Sequence, residues 1–252
     1  MSKFFVKESQ IKDGIISIIG EDVNHIKNVL RLNVSNDIKI CNIDDSKNYI
    51  CEIVEINSKE INCKIFKEVQ SEAEGNVKLD IYQGLPKADK MELIIQKGTE
   101  LGVNEFIPVS FKRSIVKLTS KDEVKKIDRW NKISEVAAKQ CGRDIVPKVR
   151  NVESVKNICE EFNDYDLVLV AYENEKDNYI KNELLKLKPT KDNYKIAVVI
   201  GPEGGIDTEE IEAFKNTKAS IISLGQRILR TETVALQVSS IIMYELENNG
   251  GI

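Results

Sequence analysis

The sequence has no CxxC pair, a single histidine, and no apolar run approaching the roughly 18 residues that cross a bilayer. Its five cysteines, Cys41, Cys51, Cys63, Cys141 and Cys159, are odd in number and scattered. That spacing indicates neither a zinc site nor a disulfide framework, so no metal is expected, and it reads as reduced thiols in a cytoplasmic protein. Residues 1–10 lack a basic start followed by an apolar core, so no secretory leader is expected. Neither the phosphate-binding GxxxxGK[ST] nor the dinucleotide-binding GxGxxG occurs. Internal repeats and low-complexity tracts are absent too.

What is present suits a globular chain. At 252 residues it has room for two modest domains, and 41% hydrophobic with 31% charged residues is ordinary for a soluble protein. A net charge of -4 taken alone argues against a nucleic-acid partner. The distribution argues otherwise. Residues 111–150 hold twelve basic and five acidic side chains, a local +7 against -11 for the rest. Local excess is what attracts a polyanion, although a charge run by itself more often marks a solvated helix face.

The first 70 residues read as β-rich. Apolar or alternating runs at 15–19, 37–41, 49–56 and 61–66 follow at short spacing, interrupted by a helix on which Val23, Ile26 and Leu30 share a face. Such spacing predicts a small barrel. A polar stretch at 70–76 reads as the linker, giving domains 1–72 and 73–252. Beyond it the pattern turns to alternating strand and helix. Strands are predicted at 79–82, 106–109, 166–171, 195–200 and 220–224, and helices carry Met91, Ile94, Ile95 and Leu101, span 122–140, and start at Asp207. Continuous apolar strands with helices between them mean an α/β domain with a mainly parallel sheet.

Two segments carry chemistry. In the first, a buried strand ends in Gly201-Pro202-Glu203-Gly204-Gly205, followed by a helix whose Asp207 and Glu210 have capping-box spacing. Ligands of open α/β sheets bind beyond such strand ends, and glycines let backbone approach them. Glu203 in mid-turn would repel a pyrophosphate. It suits a ligand with hydroxyls and positive charge, such as S-adenosylmethionine, with its ribose, sulfonium and ammonium. A tight turn without a ligand fits these residues equally well. In the second segment, Leu224-Gly225-Gln226-Arg227-Ile228-Leu229-Arg230-Thr231-Glu232-Thr233 runs from a strand into a helix with Val234, Val238, Ile241 and Ile242 on its apolar face. Thr231 or Thr233 is a candidate cap. Without context, its charges read as a loop ion pair.

At these segments the chain resembles the ribosomal RNA small subunit methyltransferase E family, a branch of the SPOUT methyltransferases. Six pieces match in order: His25 with Val29-Leu30-Arg31, Gln96-Lys97-Gly98-Thr99-Glu100-Leu101-Gly102, Arg113-Ser114, Gln140 with Arg143, GPEGG at 201–205, and 224–233. Gly98 and Val234 stand where the family usually has alanine. The resemblance implies a SPOUT-type α/β fold, in which a mainly parallel sheet ends in a C-terminal trefoil knot and follows a small PUA-like β-barrel. It implies S-adenosylmethionine as methyl donor, and N3 of one uridine near the 3′ end of 16S ribosomal RNA, in the small subunit, as acceptor. It also implies a homodimer, and no membrane or metal partner.

With the resemblance, donor contacts are expected from Ala171, Ile200, Gly201, Pro202, Glu203, Gly204, Gly205, Leu224, Gly225, Ile228, Leu229, Arg230 and Thr233. RNA contacts are expected from His25, Arg31, Lys87, Arg113, Gln140 and Arg143, His25 reading equally well as a structural histidine. Uridine N3 must lose a proton before it attacks, so the site needs proximity, a proton acceptor and a cation. Arg230 suits the cation, and Glu232 either accepts the proton or orients Arg230. Two alternatives stand beside this reading: ribose 2′-O-methylation, as in other SPOUT enzymes, and a non-catalytic RNA-binding module. Intact donor loops count against the second.

Overall fold

The computed structural model describes residues 3–70, 73–187 and 193–247. Ser71 and Glu72, inside the expected linker and at the end of the first expected domain, lie outside the described residues, as do 248–252. The chain divides into two compact units: Met1–Glu74 with Ala138–Val146, and Gly75–Ala137 with Pro147–Ile252. Residues 138–146, placed by sequence in the second domain, therefore pack with the first.

The first unit is a six-stranded sheet in the order β1-β4-β5-β6-β3-β2. Its strands are β1 (Lys3–Val6), β2 (Ile11–Lys12), β3 (Ile15–Ile19), β4 (Asp37–Asn42), β5 (Asn48–Ile56) and β6 (Glu60–Val69), with a short helix α1 (Glu21–Asn24) continued by a π turn over His25–Val29. Only the β1–β4 pairing is parallel. Alternation supplies one inward face: Phe4 and Val6, Ile16 and Ile18, Ile38 and Ile40, Cys51 and Ile53, and Ile61 and Cys63 share one core. Sequence patterning missed β1 and β2. Asp13 and Gly14, both with positive φ, form the two-residue turn that joins β2 to β3. Burial pushes the Cys41, Cys51 and Cys63 thiols up to about 12, so none is a thiolate at neutral pH.

The segment 138–146 is held by Glu74. That carboxylate accepts from Arg143 Nη2 at 2.7 Å and from the backbone N–H groups of Asp144 and Ile145 at 2.9 and 3.2 Å. Lys3 pairs with Asp144, and Lys139 with Asp22.

The second unit is built on parallel strands β7 (Val77–Gly84), β8 (Glu105–Ser110), β9 (Lys148–Val149), β10 (Glu153–Ser154), β11 (Leu167–Ala171), β12 (Tyr194–Ile200) and β13 (Ser220–Ile222). Their order is β10-β8-β7-β12-β11-β13, with β9 also on β8. The helices are α2 (Lys90–Glu100), α3 (Ser120–Cys141), α4 (Val155–Glu161), α5 (Ile180–Leu184), α6 (Thr208–Lys215) and α7 (Thr231–Glu247). The sheet is buried on both faces. Leu79, Ile81, Leu169, Ile196 and Val198 share one core with Ile94 and Ile95 of α2 and Val238 and Ile242 of α7. Val168, Val170, Ala197 and Val199 share the other with Ile158 of α4 and Ile211 and Phe214 of α6. Two-sided burial is why these strands read as unbroken apolar runs.

Strand order places the site. β8 and β10 lie to one side of the adjacent pair β7 and β12, while β11 and β13 lie to the other. Connections leave that pair in opposite directions, which opens a crevice at its carboxyl end. The expected capping box is formed: the Asp207 side chain accepts from Glu209 N, and the Glu210 side chain from Asp207 N, both at 3.1 Å.

Candidate active site

A cavity of about 550 Å³ lies at the carboxyl ends of β11, β12 and β13. Residues 171–173, 200–205 and 223–231, with Val234, line it, and Lys90 from the start of α2 completes it. Every donor contact expected from sequence lies in this lining except Thr233, which is exposed in the first turn of α7. Thr231 lines the cavity instead. It is buried and is the first residue of α7 rather than its cap. Its hydroxyl donates to the Gly201 carbonyl at 2.7 Å and accepts from Gln83 Nε2 at 2.8 Å. That relay ties the end of β7, the 201–205 turn and the last helix together.

Two glycines are required by geometry. A Cβ on Gly84 would stand 2.5 Å from the Pro202 nitrogen, so only glycine lets the end of β7 meet the 201–205 turn. Gly205 has φ 72, which other residues rarely adopt, and its missing side chain leaves room for Glu173.

The lining carries three cations, Lys90, Arg227 and Arg230, and two carboxylates. Glu173 and Glu203 line the cavity, and Glu232 lies beside it in the first turn of α7. Lys90 Nζ donates to Glu203 Oε1 at 2.8 Å and lies 3.3 Å from Glu232 Oε2, close enough to pair but not aligned for a hydrogen bond. The Lys87 N–H adds a second donor to Glu203 at 3.0 Å. Partial burial works to raise the Glu203 carboxyl, but these donors outweigh it and hold it below the usual range. The hydrogen bond to Glu203 raises Lys90, which is therefore an ammonium at neutral pH. Arg230 is exposed and lines the cavity, while Glu232, its expected partner, faces Lys90. Two buried oxygens here, Gln83 Oε1 and Glu232 Oε2, accept no hydrogen bond.

Sequence reading missed Gln83, Lys90, Tyr172 and Glu173. The available signal was positional, since each follows or ends a strand whose carboxyl end faces the crevice.

The expected RNA residues fall into two groups. His25, Arg31, Lys87, Arg113 and Gln140 are exposed, with Arg31 at φ 54 and Arg113 3.2 Å from Asp207. Arg143 differs: it is 6% exposed and its guanidinium is committed to Glu74. The basic excess of 111–150 is likewise partly offset in the folded chain. Lys112, Arg113, Arg129, Lys139, Arg143 and Arg150 all pair with acids from outside that segment. No helix among the described residues is long and apolar enough to cross a membrane.

Comparison with known proteins agrees with this architecture. Residues 73–243 match the model of an RNA methyltransferase domain, and residues 18–66 that of an RNA methyltransferase PUA domain. The chain is 38% identical over 251 residues to the ribosomal RNA small subunit methyltransferase E of Bacillus subtilis, covering 98% of each. A methyltransferase structure from Legionella pneumophila, solved with its bound cofactor SAM, is 26% identical with a TM-score of 0.83, covering 96% of this chain and 97% of the other. The Neisseria gonorrhoeae ribosomal RNA small subunit methyltransferase E, solved with S-adenosyl methionine, shares the fold at 24% identity and a TM-score of 0.84, covering 97% and 98%. The chain belongs to the ribosomal RNA small subunit methyltransferase E family.

Proposed function

We propose that this protein methylates N3 of a uridine near the 3′ end of 16S ribosomal RNA, with S-adenosylmethionine as donor. The observation that carries the reading is the cavity closed by the 201–205 and 223–231 loops, whose lining pairs glycine backbone with the carboxylates of Glu173 and Glu203. A donor with an ammonium and a sulfonium suits the two carboxylates, and its own carboxylate suits the cations Arg227 and Arg230 of the same lining. When bound, the donor supplies a methyl group on a positively charged sulfur, so no leaving-group acid is required.

The chain's residues do the rest. The donor rests on Ala171, Ile200, Gly201, Pro202, Glu203, Gly204, Gly205, Leu224, Gly225, Ile228 and Leu229, all in the lining. Arg230 stabilises negative charge on the uracil, and Glu232 accepts its proton. The exposed His25, Arg31, Lys87, Arg113 and Gln140 contact RNA, while Arg143 supports its segment through Glu74. The PUA-like domain, taken as 1–72, contributes RNA affinity and 73–252 holds the donor. Threading of the 223–231 segment past the 201–205 loop into a trefoil knot accounts for α7, which follows edge strand β13, packing on β7, β12 and α2. We place the protein in the cytoplasm with its substrate. We also infer a homodimer: Ile228 and Tyr244 are 89% and 68% exposed, and a partner subunit covers such surface. A monomeric mass in solution at micromolar concentration refutes the dimer.

Mass spectrometry of nucleosides from 16S ribosomal RNA, with and without the gene, tests the activity. Loss of 3-methyluridine is expected. Loss of a ribose-methylated nucleoside would favour 2′-O-transfer instead, and no change would leave only RNA binding.

A further inference from the structure

Lys90 is set apart from the rest of the cavity wall. Every other lining residue ends or follows β11, β12 or β13 or lies in the first turn of α7, whereas Lys90 begins α2, beyond the carboxyl end of β7. Its ammonium spans the two halves of the site. It touches Glu203 of the donor loop at 2.8 Å and reaches Glu232, two residues past Arg230, at 3.3 Å. An ammonium has three N–H groups. One is used on Glu203, the approach to Glu232 is poorly aligned, and the side chain remains 28% exposed at the cavity wall. Glu232 Oε2 is buried and accepts no aligned hydrogen bond, so the Lys90 charge at 3.3 Å is what offsets its burial and a lone pair stays open. A cation with unused donors therefore stands beside an acceptor with unused lone pairs, next to the residue expected to meet the target base.

We propose that Lys90 is a catalytic residue, whose ammonium donates to the uracil as its N3 proton passes to Glu232. This rests on the methyltransferase reading above. In the step, the N3–H bond breaks and its proton goes to Glu232 Oε2. The N3 electron pair forms the bond to the methyl carbon, and the methyl–sulfur bond breaks with its pair left on sulfur. Negative charge developing on the uracil carbonyl oxygens meets Lys90 on one side and Arg230 on the other. Lys90 does not act as the base, because pairing with Glu203 keeps it protonated.

A purely structural role for the Lys90–Glu203 bridge makes a different prediction, so three variants separate the two. Lys90→Met, Lys90→Arg and Glu203→Gln are compared with the unaltered chain in donor affinity by calorimetry, melting temperature, and single-turnover methylation at saturating donor. Lys90→Met should slow turnover by about 100-fold or more, as expected for one charge-stabilising donor. Donor affinity should change by less than about fivefold, because the contact forms mainly in the transition state. Lys90→Arg should recover part of the rate by restoring charge, and Glu203→Gln should lose more donor affinity than rate. If Lys90→Met and Glu203→Gln weaken donor binding and melting alike, and the saturated rate is within about tenfold of normal, the bridge only holds the loop and the proposal falls. If the unaltered chain binds donor yet makes no methyluridine, the methyltransferase reading fails, and this inference with it.

Discussion

Strand β7 feeds two polar networks, one from each face, and they are satisfied to different degrees. On one face Asp80 Oδ1 accepts from Asn104 at 2.6 Å, and Asp80 Oδ2 contacts Tyr165 OH at 2.9 Å. Tyr165 OH lies 2.8 Å from Tyr82 OH, which reaches Glu161 Oε2 at 2.7 Å. Arg150 closes the chain with two bonds to Glu161, at 2.8 and 2.5 Å. On the other face Gln83 Nε2 donates to Thr231, which donates on to Gly201, but Gln83 Oε1 accepts no hydrogen bond, and nearby Glu232 Oε2 has only its 3.3 Å ion pair with Lys90. The first network has a partner for each of these groups and runs from buried Asp80, Tyr82 and Tyr165 to a half-buried Glu161–Arg150 pair. The second leaves acceptors open beside a cavity. Buried polar atoms without hydrogen bonds cost stability, and beside a cavity a bound molecule can supply the missing partners.

Proton counting sharpens the contrast. Three contacts in a row, Asp80–Tyr165–Tyr82–Glu161, need three protons, and two tyrosines supply two. Arg150, ahead of the opposing effect of burial, holds Glu161 below the usual range and so ionised, whereas burial pushes Asp80 up against the donors Asn104 and Tyr165. That upward direction favours placing the third proton on Asp80, which then donates to Tyr165 rather than accepting from it. Lys195 and Arg150 act against that assignment.

The largest expected effect is on the open side. Arg230→Ala should cut turnover by about two to three orders of magnitude with little change in donor affinity, and Arg230→Lys should restore only part of it. A fall of less than about tenfold at saturating donor removes Arg230 from the chemistry.

The closed side should respond in stability instead. Tyr165→Phe strips Asp80 and Tyr82 of a partner and should cost about 1–3 kcal/mol in denaturant unfolding, while the rate per folded molecule holds. Asp80→Asn mimics the neutral acid and should be tolerated. A carboxyl raised in the folded state contributes stability that is full below its unfolded pKa and is lost as pH rises through its folded pKa. The stability of Asp80→Asn relative to the unaltered chain should therefore grow as pH rises above the ordinary aspartate range. A constant or shrinking gap means that Asp80 is ionised and the proton count is wrong.

The smallest effect extends the same contrast to the surface of α3. Lys125 is exposed, Lys126 sits 5.7 Å from the Trp130 ring centroid, and Arg129 is already paired with Glu92 at 2.8 Å. Replacing Lys125 and Lys126 by Ala should lower the salt slope of RNA binding by about one to one and a half, with Arg129→Ala adding little. An unchanged slope for the lysine pair means that this face is only solvated.

Much of the fold was legible because its signals are local. Runs such as 166–171 and 195–200 are apolar without a break because both sheet faces are covered, and Asp207 with Glu210 announced a helix start that the structure forms. β1 and β2 were missed because four and two residues are too few to show a period. The two loops that line the cavity were readable as motifs, as was the pairing of glycine with a carboxylate at Glu203.

What the sequence by itself determined is therefore the series of elements, the class of sheet and the two loops that close the cavity, since periodicity, caps and glycines act over a few residues. Only the tertiary structure decided which charges are free. It joined Lys90 to Glu203 and Glu232, gave Arg143 to Glu74, and offset half of the twelve basic residues at 111–150 with acids from elsewhere in the chain. The physical reason is range. Backbone preference and burial pattern are set by near neighbours along the chain, but a charge is paired by whatever lies within a few ångströms in space, and strand order alone fixes that.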